Sequence, residues 1–259
     1  MKSEYEVSGF VFCPALLDRA EVEVLIAELD RVLAEEPRDE RFILERDGVT
    51  VRTVANLHQR SVVYDHLVHH PALLSAARSL LDDDVYVFQL GVNCKAAFNG
   101  DAWFWHQDFP GYHEDDHIPE PRMVNTLIFL DEVMNTNGPL MLVPGSHRHV
   151  APTPEVSDGG TSYSFRYADT ETIEQQVREG GVIAPTGPPG SVILMNVNTL
   201  HGSTANMSPW PRRMITVTFN AMSNKATRPS VRPRHIVGDD RDATGLVPMD
   251  ASCLVEFVR

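Results

Sequence analysis

Up to about residue 84 the apolar residues recur mainly at helical spacing. Beyond it they form short runs and period-two alternations broken by turn residues. Leu16, Leu17, Val22, Leu25, Ile26, Leu29, Val32 and Leu33 keep the helical period, with Asp18, Arg19, Glu21, Glu28 and Arg31 opposite them. This predicts a helix over 14–36, with Pro14 in its first turn. A short apolar run at 9–12 predicts a strand before it. Residues 42–45 and 49–54 flank Asp47-Gly48 as a hairpin would. A second helical region spans 62–81, with Pro71 starting a new helix or kinking this one, and Asp82-Asp83-Asp84 ends it. Further strands are predicted at 85–95, 102–108, 123–130, 140–143, 182–183, 191–196 and 214–220, with a short helix at 171–178. Residues 152–170, polar and rich in Gly, Ser and Thr, read as a surface loop or lid, and so does 111–121. The tail from Ala226 onward is rich in Pro and Arg and reads as irregular.

Helices first and short strands afterwards predict an α+β chain, mainly β. The simplest architecture is a double-stranded β-helix, a cupin-like jelly roll, with the N-terminal helices packed outside it. One domain over 1–259 is expected, with a helical part over 1–84, a jelly-roll core over 85–222 and a tail over 223–259.

The net charge of −14 over 259 residues argues against a nucleic-acid partner, which needs a basic face for phosphates. No uncharged apolar run approaches the length of a membrane span, and the first residues lack the basic and apolar regions of a signal peptide. Cys13, Cys94 and Cys253 are odd in number and outside any C-x-x-C pattern, which favours reduced thiols and a cytoplasmic location. The expected partner is a small-molecule substrate, bound by a monomer or homodimer.

Chemistry concentrates at Trp103-Phe104-Trp105-His106-Gln107-Asp108. On a strand, residues i and i+2 share a face, so His106 and Asp108 are expected to present an imidazole and a carboxylate together. That pair is two thirds of the 2-His-1-carboxylate triad that holds non-haem Fe(II) with open positions. The third ligand is sought among His201, His147 and His235. His201 is favoured because an apolar strand delivers it and Gly202-Ser203 leaves room behind it. Arg212 opens the next strand, where a guanidinium can grip a carboxylate bidentately. The tryptophans of the stretch are expected to serve packing.

H-x-D, a distal His and an Arg shortly after it resemble an Fe(II)/2-oxoglutarate dioxygenase. The nearer resemblance is to the phytanoyl-CoA dioxygenase-like family, and within it to ectoine hydroxylases and to free-amino-acid hydroxylases of the proline and leucine type. It is carried by residues 45–52, 89–93, 105–108, 137–147 and 232–235, and by His201-Gly202-Ser203 with Asn206, Ser208-Pro209 and Arg212. The resemblance implies that His106, Asp108 and His201 are the metal ligands, and that Arg212 and Ser203 hold the distal carboxylate of 2-oxoglutarate. It places Gln89 and Asn93 near co-substrate and substrate, and Asn125 on a strand facing the same pocket. Tyr112 falls where ectoine hydroxylases carry a tryptophan, and Asn125 is more like the amino-acid hydroxylases. Both departures point away from ectoine. Asp108 implies hydroxylation, because related halogenases carry a small residue there.

The implied cofactors are Fe(II), 2-oxoglutarate and O2, with ascorbate supportive in vitro. The implied reaction is hydroxylation of an unactivated C–H in a small polar substrate, most simply a free amino acid or a derivative, giving succinate and CO2. A zwitterion needs a cation and acceptors, for which Arg52, His58, Asn125, Glu114, Asp115 and Asp116 are candidates. The alternatives are a tailoring oxygenase on a larger natural product, a non-catalytic cupin-like metal binder and a zinc hydrolase.

Overall fold

Uninterrupted apolar runs become strands covered on both faces, and alternating runs become strands with one face on a cavity. The computed structural model describes residues 1–150, 156–157, 165–237 and 243–258. The first half of the chain forms α1 (Lys2–Ser8), β1 (Phe10–Cys13), α2 (Arg19–Glu35), β2 (Phe42–Leu44), β3 (Val51–Ala55), α3 (Val62–Val68), α4 (Pro71–Leu81), β4 (Val85–Lys95), β5 (Trp103–His106) and α5 (Phe109–Glu114). Then follow β6 (Met123–Phe129), β7 (Leu140–Leu142), β8 (Val156–Ser157), β9 (Phe165–Arg166), α6 (Thr170–Gly180), β10 (Val192–Asn196), β11 (His201–Ser203) and β12 (Arg212–Ala221).

Seven strands pair in the order β1-β10-β6-β12-β4-β3-β2, and a smaller sheet runs β5-β11-β7. The two sheets are the jelly roll that the sequence predicts. The helices cover the outer face of the large sheet, where Leu25, Leu29, Leu73 and Leu74 join Leu90, Val92, Ile128, Ile215 and Val217 in one buried cluster. On its inner face Leu127, Phe129, Ile193, Met195 and Met214 meet Leu140 and Leu142 of the small sheet. Every residue of β6 is buried, as a strand between two layers requires.

Several boundaries differ from the sequence expectation. Helix α2 starts at Arg19, because Asp18 caps it: the Asp18 carboxylate accepts from the Glu21 amide at 2.9 Å, and Glu21 accepts from the Asp18 amide at 2.7 Å. Pro14 lies before this cap, outside the helix. The N-terminal part is not only helical, since β1, β2 and β3 belong to the large sheet. Pro71 starts α4 at its first turn rather than kinking a longer helix. Residues 182–183 contribute a single bridge, Ile183 to Leu142. Helix α1 was not expected, and α5 replaces the start of the loop expected at 111–121. The loop expected at 152–170 lies mostly outside the described residues. The tail is irregular but packed, with Val237, Cys253 and Leu254 buried. All three cysteines are free thiols. Among the described residues no helix is long and apolar enough to cross a membrane.

Asp18→Ala removes one half of the capping box. It should cost about 1 kcal/mol, read as a lower urea midpoint at unchanged slope.

Candidate active site

The β5–β11 register puts His106 directly opposite His201. Their ring centroids are 4.1 Å apart. Strand β5 ends at His106, so Asp108 is not on the strand as expected. It is the residue before α5, in helical conformation, where its amide and that of Phe109 donate to the Val197 carbonyl at 3.0 and 3.1 Å. The turn still brings the carboxylate to the histidines: Oδ1 lies 3.4 Å from His106 Nε2 and Oδ2 lies 3.7 Å from His201 Nε2. One ligand atom from each of the three residues fits within 4.8 Å of the others. His147 and His235, the alternative third ligands, are outside this cluster. His147 Nε2 faces the Glu6 carbonyl at 3.3 Å, and His235 faces Glu40 at 3.5 Å.

Each ring is fixed from behind by its own strand. His106 Nδ1 meets the Phe104 carbonyl at 2.6 Å, and His201 Nδ1 meets the Thr199 carbonyl at 2.9 Å. A carbonyl only accepts, so Nδ1 carries the proton in both rings and both Nε2 lone pairs face Asp108. Two lone pairs and a carboxylate turned on one another repel unless a cation sits among them, and the donor set suits Fe(II). Burial and the neighbouring His106 ring lower the His201 pKa to about 4, against the pull of Asp108, which keeps the ring neutral and ready to ligate. Burial pushes the Asp108 carboxyl up, but the two imidazoles and an amide outweigh it and bring it down to about 2. That amide is Asn125, whose Nδ2 donates to Asp108 Oδ2 at 2.5 Å while its Oδ1 accepts from Thr218 Oγ1 at 2.7 Å. Asn125 was a substrate candidate. It lines the cavity, and its amide is held between Thr218 and the carboxylate.

The three groups open into a cavity of about 550 Å³. Arg212 and Ser203 line it near the Gly138–Leu140 segment, Arg212 through the Gly138 carbonyl and Ser203 as the register partner of Leu140. Arg212 is buried, and its Nε and Nη2 donate to the Gly138 carbonyl at 3.1 and 2.7 Å. The buried Ser203 hydroxyl has no hydrogen-bond partner among the described residues. A buried guanidinium beside an orphaned hydroxyl is what a carboxylate would satisfy. Asn93 lines the cavity between this end and the opposite one, accepting from Thr53 Oγ1 at 2.8 Å.

The family model for phytanoyl-CoA dioxygenase matches residues 5–214. The chain belongs to the phytanoyl-CoA dioxygenase family. It is 36% identical over 265 residues to ectoine dioxygenase of Bordetella bronchiseptica, covering 97% of this chain and 85% of the relative. It is 34% identical over 264 residues to L-proline trans-4-hydroxylase of Streptomyces griseoviridis, covering 98% and 96%. The crystal structure of EctD from S. alaskensis with bound Fe superposes with a TM-score of 0.85 at 29% identity, covering 96% and 85% of the two chains. The same protein with 2-oxoglutarate and 5-hydroxyectoine gives 0.82. This family member is therefore an Fe(II)- and 2-oxoglutarate-dependent dioxygenase, related to ectoine and proline hydroxylases.

In this family member the end of the cavity away from Arg212 is built by Gln89, Tyr112, Asp115, Arg166, Arg232 and His235. Gln89 Nε2 donates to the Tyr112 hydroxyl at 2.9 Å, and Arg232 reaches Gln89 Oε1 at 3.4 Å. Asp116, fully buried, pairs with the Arg232 guanidinium through both oxygens. Asp115 pairs with Arg166 at 2.9 Å. Arg166 and Arg232 were not singled out. Only the RPRH similarity of the tail carried any signal, because sequence alone leaves an irregular tail unplaced.

Two substrate candidates lie elsewhere. Arg52 does not line the cavity: it is 1% exposed, pairs with Glu45 at 3.0 Å and stacks 3.9 Å from the centre of the Trp103 ring. His58 does not line it either, and burial lowers its pKa to about 4. Trp103 and Trp105 are half-buried and Phe104 is exposed, so the stretch lies outside the apolar core; Trp103 packs on Arg52, as expected of it, and also lines the cavity.

Asn125→Ala should weaken metal binding by about 10- to 100-fold, measured by metal titration of the apoprotein. His58 and His201 both have folded pKa values near 4 against an ordinary 6.5. The unfolded chain then binds more protons between these values. The contribution of these two histidines to apoprotein stability is complete above about pH 6.5 and is lost as pH drops towards 4. His58→Gln should flatten that slope in urea unfolding at stepped pH.

Proposed function

We propose that the protein hydroxylates an unactivated C–H of a free amino acid or amino-acid derivative, with His106, Asp108 and His201 as the iron ligands. Iron bound there supplies the activation of O2, coupled to decarboxylation of 2-oxoglutarate to succinate and CO2. The chain supplies orientation and exclusion of water. Arg212 and Ser203 would take the distal carboxylate of the co-substrate in the cavity that the histidines also line. Asn125 fixes the Asp108 carboxylate, so the three groups that would hold the metal stay together at the cavity.

The observation that carries the substrate class is the charge at the far end. Arg232 and Arg166 offer cations and Asp115 a carboxylate, all lining one cavity of about 550 Å³. A zwitterion finds a partner there for each of its charges. This volume is at the scale of small-ligand sites. The relatives named for ectoine and L-proline support a compact, amino-acid-derived substrate. Tyr112 helps set its shape: buried and tied to Gln89, it packs edge-on against Phe88, with ring centres 5.0 Å apart. The Arg232 guanidinium lies 5.4 Å from the centre of the Tyr112 ring and is held by the buried Asp116, so it meets a substrate carboxylate already oriented.

Incubation with Fe(II), ascorbate, 2-oxoglutarate and mixtures of amino acids and cyclic derivatives should give, by mass spectrometry, a product with one added oxygen. Turnover of a larger scaffold and of no amino acid would sink the reading. Arg232→Gln should raise KM for that substrate about 10- to 100-fold, the worth of a charged hydrogen bond, with little change in 2-oxoglutarate affinity. Arg212→Ala should do the reverse. It should also abolish the weak visible band that Fe(II) and 2-oxoglutarate form together without oxygen.

A further inference from the structure

Arg212 has a second cation beside it. In the β4–β12 ladder Lys95 is the register partner of Arg212, so the two side chains leave the same face of adjacent strands. Both are buried, at 1% and 3% exposure. Like charges directly opposite on paired strands are destabilising. No carboxylate among the described residues lies within ion-pair distance of either. The nearby acids are taken up elsewhere: Glu45 pairs with Arg52 at 3.0 Å, and Asp131 pairs with Arg213 at 2.7 Å. Among the described residues Lys95 Nζ donates only to carbonyls, of Asp101 at 2.5 Å and Thr204 at 2.6 Å.

Those carbonyls lie at the edges of the co-substrate end. Thr204 follows Ser203, and Asp101 leads into β5. The stem of Lys95 also walls the turn that Arg212 grips. A Cβ on Gly138, whose φ is +75°, would stand 2.9 Å from Lys95 Cδ and 2.7 Å from the Thr204 carbonyl. Only glycine lets the Gly138 carbonyl reach Arg212 there. Asn206 closes the same corner by donating to the carbonyls of Lys95, Ala96 and Trp210.

We propose that Lys95 is a positioning residue for 2-oxoglutarate: it holds the Ser203 and Gly138 segments around Arg212, and it gains its proton when the anion arrives. The proposal rests on the reading of Arg212 and Ser203 as the co-substrate grip. Burial, then Arg212, then Arg52 lower the Lys95 pKa to about 6, against the opposing pull of Glu45 and Asp101. Arg212 acts on it from β12, Arg52 from β3, Glu45 from the turn after β2 and Asp101 from the segment before β5. A carboxylate placed on Arg212 supplies the missing negative charge and raises that pKa. Binding therefore takes up a proton above about pH 6, and affinity for 2-oxoglutarate falls as pH rises.

The test is calorimetric titration of 2-oxoglutarate into the Mn(II)-loaded protein, in buffers of different ionisation enthalpy at about pH 7.5. The wild type should take up a proton on binding. Lys95→Met should bind about 10-fold more weakly, without that uptake and with unchanged metal affinity. 2-Oxobutyrate, which lacks the distal carboxylate, should draw no proton into the wild type. Wild-type binding with no proton uptake would overturn the proposal, whether or not the variant folds. So would a Lys95→Met protein that is only less stable, with the same affinity and uptake. If 2-oxoglutarate fails to bind the wild type at all, the Arg212 and Ser203 reading fails instead.

Discussion

The pairing of β5 with β11 is the constraint on which the site depends. It sets His106 across from His201, and each ring is pinned by a carbonyl of its own strand. With Nδ1 committed to the backbone, both Nε2 atoms converge and Asp108 closes the triangle. A shift of one residue would turn one histidine to the other face of its strand and dissolve the cluster. Burial of the surrounding sheet makes that register costly to lose, because Leu140 and Leu142 beside β11 fill the core between the sheets.

The large sheet supplies what the small one lacks. Asn125 and Thr218 are register partners on β6 and β12, and together they aim the Asp108 carboxylate. Gln89, Asn93 and Lys95 alternate along β4, opposite Thr218, Met214 and Arg212 of β12. One ladder thus runs from the Gln89 end of the cavity to the Arg212 end. The opposite face of the same strands holds Leu90, Val92, Ile215 and Val217 in the helix-covered core. The core fixes the ladder, and the ladder fixes the spacing of the two ends.

The two ends differ in how their cations are compensated. Arg232 and Arg166 already have carboxylates, Asp116 and Asp115, which hold them in place. Among the described residues Arg212 is met by a carbonyl alone, and Lys95, its pKa lowered to about 6 by burial and the neighbouring guanidinium groups, donates only to carbonyls. A buried cation without an anion is costly, so this end is built to receive one. The contrast separates an ion-paired end of the cavity from a charge-deficient one.

The sequence by itself determined most strands and helices of the two layers through their periodicity, though not α1 or the three-residue β11, and the residue types of the iron site through H-x-D and the distal His and Arg. It could not place Asp108 correctly, because the period-two argument holds only on a strand and the chain turns into α5 after His106. Nor could it separate Arg52 from Arg232. Both are arginines in polar surroundings, yet the fold buries one against Trp103 and Glu45 and brings the other, from an irregular tail, onto the cavity wall. The placement of Asn125 beside Asp108 and of Lys95 opposite Arg212 came only from tertiary structure. Cross-strand register is a long-range property, and it alone says which side chains stand opposite one another.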